Sequence, residues 1–407
     1  MSDSSTPPPP LLSTALIHHP YKPPQGFEAV PPAVYRASTV IFPNVAALRT
    51  RDWMHKTGYT YGLHGTPTTF LLEERVASLE GGQYCTLVPS GLAAVVLVGI
   101  TLLKAGDELL IPDNAYGPNK AFASAELASW GITHQLYDPM NPADLAAKMN
   151  ARTRLVWLEA PGSITLEFPD LPALIAAVKT NADCHPQGIV TALDNTWGAG
   201  IAFNAFDLGV DISAQALTKY PSGGADVLMG SVVTRSQALH HLIHLCHMRV
   251  GYGVAGNDAE LVLRGLNTMA LRYAVQDTAT RAVARWMQGQ PQVAAVLHPA
   301  LPGSPGHDTF KRDCAGAACL FSVVFKPEFT QAQVDRFCDS LKLFKLGYSW
   351  AGPMSLCAPY AVPSLRSTPW PYKGGLVRFS VGLEAASDLQ ADLAQALQKM
   401  NQSDALQ

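Results

Sequence analysis

From about residue 62 to residue 250, short apolar runs rich in β-branched residues alternate with helix-like segments, and this alternation leaves few folds open to the chain. The runs are 108–111, 133–137, 155–159, 190–193, 212–214 and 227–232; helix-like stretches at 71–79, 91–103, 121–130 and 171–180 separate several of them. Strands joined through helical crossovers pair in parallel, because the crossover returns the chain to run in the same direction. The pattern predicts a doubly wound α/β domain with a mainly parallel sheet. No repeat at a fixed period runs through the sequence.

The character changes after Asn257. A long helical stretch, 258–289, runs through Leu261, Leu263, Leu266, Met269, Leu271 and Ala274. It leads into a smaller α+β part with strands expected at 319–325 and 376–381 and helices at 331–341 and 386–399. With 407 residues, the chain divides into an N-terminal arm at 1–61, an α/β domain at 62–256 and an α+β domain at 257–407. The first ten residues, proline-rich and polar, are expected to be disordered. The rest of the arm reads as extended chain that needs another surface to lie on, a partner subunit being one candidate.

Composition narrows the function classes. The net charge is only -3, charged residues make up 15%, and no basic run stands out, so a nucleic-acid partner is not expected. A small-molecule substrate is. The longest apolar stretch, residues 92–103, falls well short of the ~20 residues a membrane helix needs. No basic segment followed by an apolar core opens the chain. These features predict a soluble, cytoplasmic protein with no membrane partner. The seven cysteines are odd in number and form no C-x-x-C pair, which points to reduced thiols. His240, His241, His244 and His247 share helical spacing, but no acidic or cysteine partner completes a metal site. A solvated helix face is expected there, and no metal.

In open α/β sheets, ligands bind at the carboxyl ends of the strands. The residues just beyond the apolar runs are therefore informative. Run 108–111 leads to Asp113, Asn114 and Tyr116; run 155–159 ends in Glu159 before Ala160-Pro161-Gly162-Ser163. Run 190–193 leads to Asp194, and the run beginning at Ile212 leads to Thr218, Lys219 and Tyr220. An aromatic ring, an acid and a lysine thus converge on one edge. Pyridoxal phosphate needs those residue types: an amine for the imine, an acid beside the pyridine nitrogen, an aromatic face, and N–H groups for the phosphate. Ser90-Gly91-Leu92 opens a helix whose first N–H groups have no intrahelical acceptor, which suits a phosphate. Blander roles stand beside these. Asp194 could cap a helix, Tyr116 could be packing, Ser90-Gly91 a tight turn, and Glu159 a partner for backbone N–H groups.

The segment from Asp211 through Thr218, Lys219 and Tyr220 resembles the cofactor-lysine motif of the Cys/Met-metabolism PLP enzymes, and the similarity extends from about Val34 to Leu393. Within that family the nearest pattern is that of bacterial enzymes that cleave cystathionine at its β-carbon. It rests on Glu159 through Thr165, on Tyr348-Ser349-Trp350, and on the stretch from His298 through Ser304 and His307 to Asp313. The resemblance implies the aspartate-aminotransferase type of fold (fold type I), with a seven-stranded sheet in the large domain. It implies that Lys219 carries the cofactor as a Schiff base and acts as general base, Asp194 pairs with the pyridine nitrogen, and Tyr116 stacks on the ring and takes part in catalysis. Gly91, Leu92 and Thr218 would bind the phosphate. Arg378 would clamp the substrate α-carboxylate, with Ser349 and Trp350 lining the substrate side; as residue types alone, Arg378 could form a structural ion pair and Trp350 could be core.

The implied activity is β-elimination at a carbon–sulfur bond. L-cystathionine would yield homocysteine, pyruvate and ammonia in methionine biosynthesis, with cystine or cysteine as side substrates. A γ-lyase or γ-synthase activity is the alternative, and a non-catalytic PLP-binding protein the remote one. A homotetramer, a dimer of dimers sharing active sites through Tyr61, is implied as well. The sequence departs from the family at Leu63, two residues after Tyr61, where an arginine usually meets the phosphate; His64 is the nearest basic group. Looser cofactor binding than in relatives with the arginine is expected.

Overall fold

The computed structural model describes residues 11–20, 25–26 and 29–400, so the ten residues expected to be disordered lie outside it. Seven strands form the larger sheet: β1 Tyr84–Val88, β2 Glu108–Pro112, β3 Thr133–Tyr137, β4 Thr153–Glu159, β5 Val190–Asp194, β6 Ile212–Ala216 and β7 Gly230–Thr234, in the order β1-β7-β6-β5-β4-β2-β3. All pairs are parallel except those of β7, which runs antiparallel to β1 and β6. Five strands form the smaller sheet: β8 Val293–Leu297, β9 Leu320–Phe325, β10 Lys345–Leu346, β11 Leu356–Tyr360 and β12 Leu376–Ser380, in the order β10-β11-β12-β9-β8.

The expected strands of the larger sheet are present with small shifts, and the largest is instructive. The strand expected at 227–232 begins instead at Gly230. Residues just before it are drawn to the loop after β6: the Thr218 N–H donates to the Met229 carbonyl, and the Met229 N–H donates to the Thr218 hydroxyl. Apolar content alone does not report such a local diversion. Strands β1, β8, β10 and β11 have no counterpart among the expected runs. The helix expected at 121–130 starts earlier, as Gly117–Phe122 with Pro118 in its first turn, and continues as a π-helical turn over Ala123–Leu127. The helix Pro67–Glu80 begins with a reciprocal cap. The Thr66 hydroxyl accepts from the Thr69 N–H at 3.3 Å, and the Thr69 hydroxyl accepts from the Thr66 N–H at 2.8 Å.

The apolar helix Gly91–Leu102 packs on β6 and β7, burying Val95, Leu97, Val98 and Leu102. Full burial of each such side chain contributes roughly 1.5–3 kcal/mol. The helix Gly256–Gln288 spans both halves of the molecule. Its first turns bury Leu263, Leu266 and Met269 in the core of the larger sheet, and its last turns bury Val283, Ala284 and Met287 in that of the smaller.

The histidine stretch departs from expectation. His240, His244 and His247 on the helix Gln237–Val250 are buried rather than solvated; only His241 points outward. That helix packs on β1 and on the helix Gly91–Leu102, and Trp53 lies 6.2 Å from the His244 ring. The face at i, i+4 and i+7 therefore points inward. His240 stacks on Tyr84 at 4.9 Å, His244 on His240 at 5.7 Å, and His247 on His244 at 6.0 Å. Burial, with Lys56 next, lowers His240 to about 3 and His244 to about 4, so both rings are neutral at neutral pH.

One buried hydrogen bond ties the two sheets together beside Lys219. The Tyr220 hydroxyl accepts from the Cys319 N–H, just before β9, at 2.7 Å. Both residues are fully buried. In Tyr220→Phe that amide loses its partner. The variant should lose about 1–3 kcal/mol of stability, read as a lower urea midpoint; an unchanged midpoint would show that the bond contributes nothing.

Candidate active site

A cavity of about 560 Å³ opens at the carboxyl ends of β4, β5 and β6, between the two sheets. Lys219, Asp194, Tyr116, Gly91, Leu92, Thr218, Arg378, Ser349 and Trp350 all line it. Residues far apart in sequence meet there because parallel strands end on the same edge, and because β12 of the smaller sheet faces that edge.

Lys219 lies just after β6 in a turn, its N–H donating to the Ala216 carbonyl at 3.1 Å. Its Nζ donates to Ser349 Oγ at 2.5 Å and lies 5.6 Å from the centre of the Trp350 ring. Burial first, then the nearby Arg378, lowers this amine to about 8. An amine so placed is a better nucleophile and base at neutral pH than an exposed lysine. Ser349 stands at φ 99° and Ala351 at φ 62°, the left-handed side that non-glycine residues avoid. This unfavourable turn directs Ser349 onto Lys219 and Trp350 into the wall, where it packs edge-on against Tyr220 at 5.6 Å.

Asp194 is the last residue of β5. Its Oδ1 accepts from the Thr196 N–H at 3.0 Å and from the Thr196 hydroxyl at 2.6 Å. Burial raises its carboxyl, and the Thr196 donors oppose that rise. Asp194 thus organises the turn after β5 while lining the cavity.

Tyr116 precedes the helix Gly117–Phe122 and presents its ring to the cavity, 38% exposed. Gly91 and Leu92 are the first residues of a helix capped by Ser90, whose hydroxyl accepts from the Ala93 N–H at 3.0 Å. Their own N–H groups have no acceptor one turn earlier and sit at the positive end of the helix. Glycine is required at 91 by close approach, since a Cβ there would fall 2.5 Å from the Ala216 Cβ. Arg378, on the central strand β12, is buried. It donates to the Ser163 carbonyl at 3.0 Å and lies 5.3 Å from the Tyr360 ring.

Two of the expected residues are placed differently from the rest. The single hydroxyl proton of Thr218 is directed to the Met229 carbonyl at 3.2 Å rather than into the cavity. Tyr61 is not on the cavity wall. It is half-exposed and pairs with Thr39 in an isolated bridge. Its neighbour His64 is bound at Nδ1 to the Thr60 hydroxyl at 2.5 Å, and burial, then Arg51, lowers its pKa. A neutral imidazole there cannot stand in for an arginine's charge.

Tyr360 and Leu365, which were not singled out from sequence, also line the cavity, as do Glu159 and Ile164 of the stretch 159–165. Tyr360 ends a short strand that carries a proline and has no recognisable pattern. Glu159 is visible at the end of an expected strand, but only the fold sets it in register with Asp194.

The pattern of the Cys/Met metabolism PLP-dependent enzymes matches residues 13–398. The chain is 38% identical to the cystathionine beta-lyase of Bordetella avium, covering 98% of this chain and 100% of that one. It is 37% identical to the cystathionine beta-lyase of Escherichia coli, over 90% and 92%. Among solved structures, a cystathionine gamma synthase from Xanthomonas oryzae pv. oryzae in complex with cystathionine superposes with a TM-score of 0.86 at 30% identity, over 97% of this chain and 99% of that one. With its family pattern, its relatives and its cavity in agreement, the chain belongs to the Cys/Met metabolism PLP-dependent enzymes, of fold type I, and its cofactor is pyridoxal 5'-phosphate.

Proposed function

We propose that this protein is a cystathionine β-lyase, splitting L-cystathionine with water into L-homocysteine, pyruvate and ammonia. The observation that carries this reading is Lys219: a half-buried amine lowered to about 8, held by Ser349 and facing Arg378 across a cavity that Asp194 and Tyr116 share. Its likeness over nearly full length to cystathionine beta-lyases supports the choice of substrate.

The chemistry of the residues suits pyridoxal phosphate. When bound, that group supplies an electron sink for the pair left behind as the substrate Cα loses its proton. Lys219 would hold it, Asp194 would keep a proton on its ring nitrogen, and the Tyr116 ring would cover one face. The Gly91 and Leu92 N–H groups suit its phosphate; Thr218 would join them only by turning its hydroxyl away from Met229. The Arg378 guanidinium would clamp the substrate α-carboxylate through two parallel hydrogen bonds, fixing orientation as well as affinity. The Lys219 Nζ would take the Cα proton and return one to the departing sulfur, with Ser349 steadying the amine between these tasks. Trp350 would wall the substrate side and limit water.

The same reading extends to the assembly: a soluble, cytoplasmic homotetramer in which Tyr61 of each chain completes a neighbour's site. The half-exposed ring of Tyr61, away from its own cavity, supports this. Among the described residues no helix is long and apolar enough to cross a membrane. The division into an arm at 1–61, an α/β domain at 62–256 and an α+β domain at 257–407 belongs to the same proposal. The likeness to a gamma synthase favours one second reading, reaction at the γ-carbon.

Incubation with L-cystathionine separates the two readings. Pyruvate with homocysteine is the expected result, and 2-oxobutyrate with cysteine would establish γ-cleavage instead. Lys219→Ala should reduce turnover by roughly a thousandfold or more, and retained lyase activity would refute the assignment of the amine. In cofactor-free protein, the rate at which Lys219 adds to an aldehyde should climb as pH rises through about 8 and level off above it, because only the neutral amine attacks. A midpoint near the ~10.4 of an ordinary lysine would contradict this. Finally, mixing and reassembling inactive Tyr61→Ala and Lys219→Ala chains should restore part of the activity, since hybrid assemblies would contain sites with both residues intact. No recovery in confirmed hybrids would rule out shared sites.

A further inference from the structure

Tyr116 is tied to the protein's polar groups through its backbone: its N–H donates to Glu159 Oε2 at 2.8 Å, and its carbonyl accepts from the Asn119 N–H at 3.0 Å. The ring's place over the cavity is therefore inherited from the loop that bears it. That loop is anchored in steps. Asp113 accepts from the N–H groups of Ser367 and Thr368 at 2.8 and 2.9 Å, and from both their hydroxyls. The Asn114 carbonyl accepts from the Ser163 N–H at 3.0 Å. Glu159 is the anchor at the tyrosine itself.

Glu159 ends β4, and its register partner on β5 is Asp194. One pair of adjacent parallel strands therefore fixes both the acid of the site and the backbone of its aromatic face. We propose that Glu159 is a positioning residue for the reaction, setting the Tyr116 ring relative to Asp194 by accepting the Tyr116 N–H. What this contact needs is an acceptor oxygen, and a negative charge is not required. Burial, and then the neighbouring Asp194, push the Glu159 carboxyl well above the usual carboxylate range. A neutral acid still accepts through its carbonyl oxygen, and it spares Asp194 a like charge alongside.

The proposal rests on the roles of Tyr116 and Asp194 in the proposed lyase, and the test separates the two. Glu159→Gln keeps an acceptor oxygen without the charge; Glu159→Met keeps the volume and has no strong acceptor. Each is prepared as holoenzyme and checked for folding by far-ultraviolet circular dichroism. Three readouts are compared: kcat/KM, the visible circular dichroism of the bound cofactor, and hydrogen exchange in the peptide spanning 113–117. In Met, kcat/KM should fall about ten- to a hundredfold, with an altered cofactor signal and faster exchange. In Gln, all three should stay near wild type, within about twofold in rate.

A Met variant like wild type in all three would make Glu159 a spectator and overturn the proposal. A Gln variant as damaged as Met would mean that the charge matters, and would overturn it equally. Should the Met variant not fold, Glu159→Asp decides, since the shorter side chain retracts the acceptor: its cofactor signal and exchange should change, and wild-type behaviour would overturn the proposal. Retained turnover in Lys219→Ala would instead bring down the underlying reading, whatever Glu159 does.

Discussion

The parallel registration of β4, β5 and β6 is the constraint on which the site depends. Backbone hydrogen bonds set Glu159 opposite Asp194 and Asp194 opposite Ala214, so three chain segments end together. The loops that leave those ends hold Ser163, Thr196 and Lys219. A slip of one residue between neighbouring strands would turn Asp194 to the other face of the sheet. The chemistry of the cavity is thus secured by main-chain pairing buried among Val156, Leu158 and Leu193. Flexible side-chain contacts at its rim add to that frame and do not create it.

Electrostatics is set by where this edge is buried. Lys219, Asp194 and Glu159 all lie where water is scarce, and burial leads the causes of each shift: the amine falls and both carboxyls rise. Each group is displaced toward its neutral form. The protein opposes this for Asp194 with the two Thr196 donors, and leaves Lys219 with a serine hydroxyl. A lysine poised near neutrality beside an acid whose rise is opposed by two donors is an arrangement suited to forming an imine while keeping a ring nitrogen positive. The unfavourable backbone at Ser349 and Ala351 fits the same picture, since such conformations persist only where the surroundings enforce them.

Much of the larger sheet is legible in the chain because each buried parallel strand is a continuous apolar run bounded by polar residues, and each crossover helix has its own period. Asp194, Lys219 and Tyr116 stand just past the carboxyl ends of such runs, where an open α/β sheet binds its ligand, so their positions alone single them out. The smaller sheet is less legible. Strand β11 is Leu356-Cys-Ala-Pro-Tyr360 and β10 has two residues, and neither shows a period. The histidines at 240, 244 and 247 mislead for a related reason. Their polarity suggests solvent, but Tyr84 and Trp53 arrive from remote parts of the chain to cover them. A helix face is identified by what packs on it, and local sequence does not contain that.

By itself the sequence determined the alternation of strands and helices, the lysine and acid at strand ends, and membership in a family of PLP enzymes. These are local or collinear properties, written in spacing and residue type. Tertiary structure alone decided that Arg378 from a separate sheet faces Lys219, that Ser349 is turned onto the amine, and that Glu159 holds the tyrosine backbone. It also committed the Thr218 hydroxyl to Met229. Each of these is a contact between groups far apart in the chain or a direction of a single bond. Such contacts are set by how layers pack and strands register, so they exist only once the whole chain has folded.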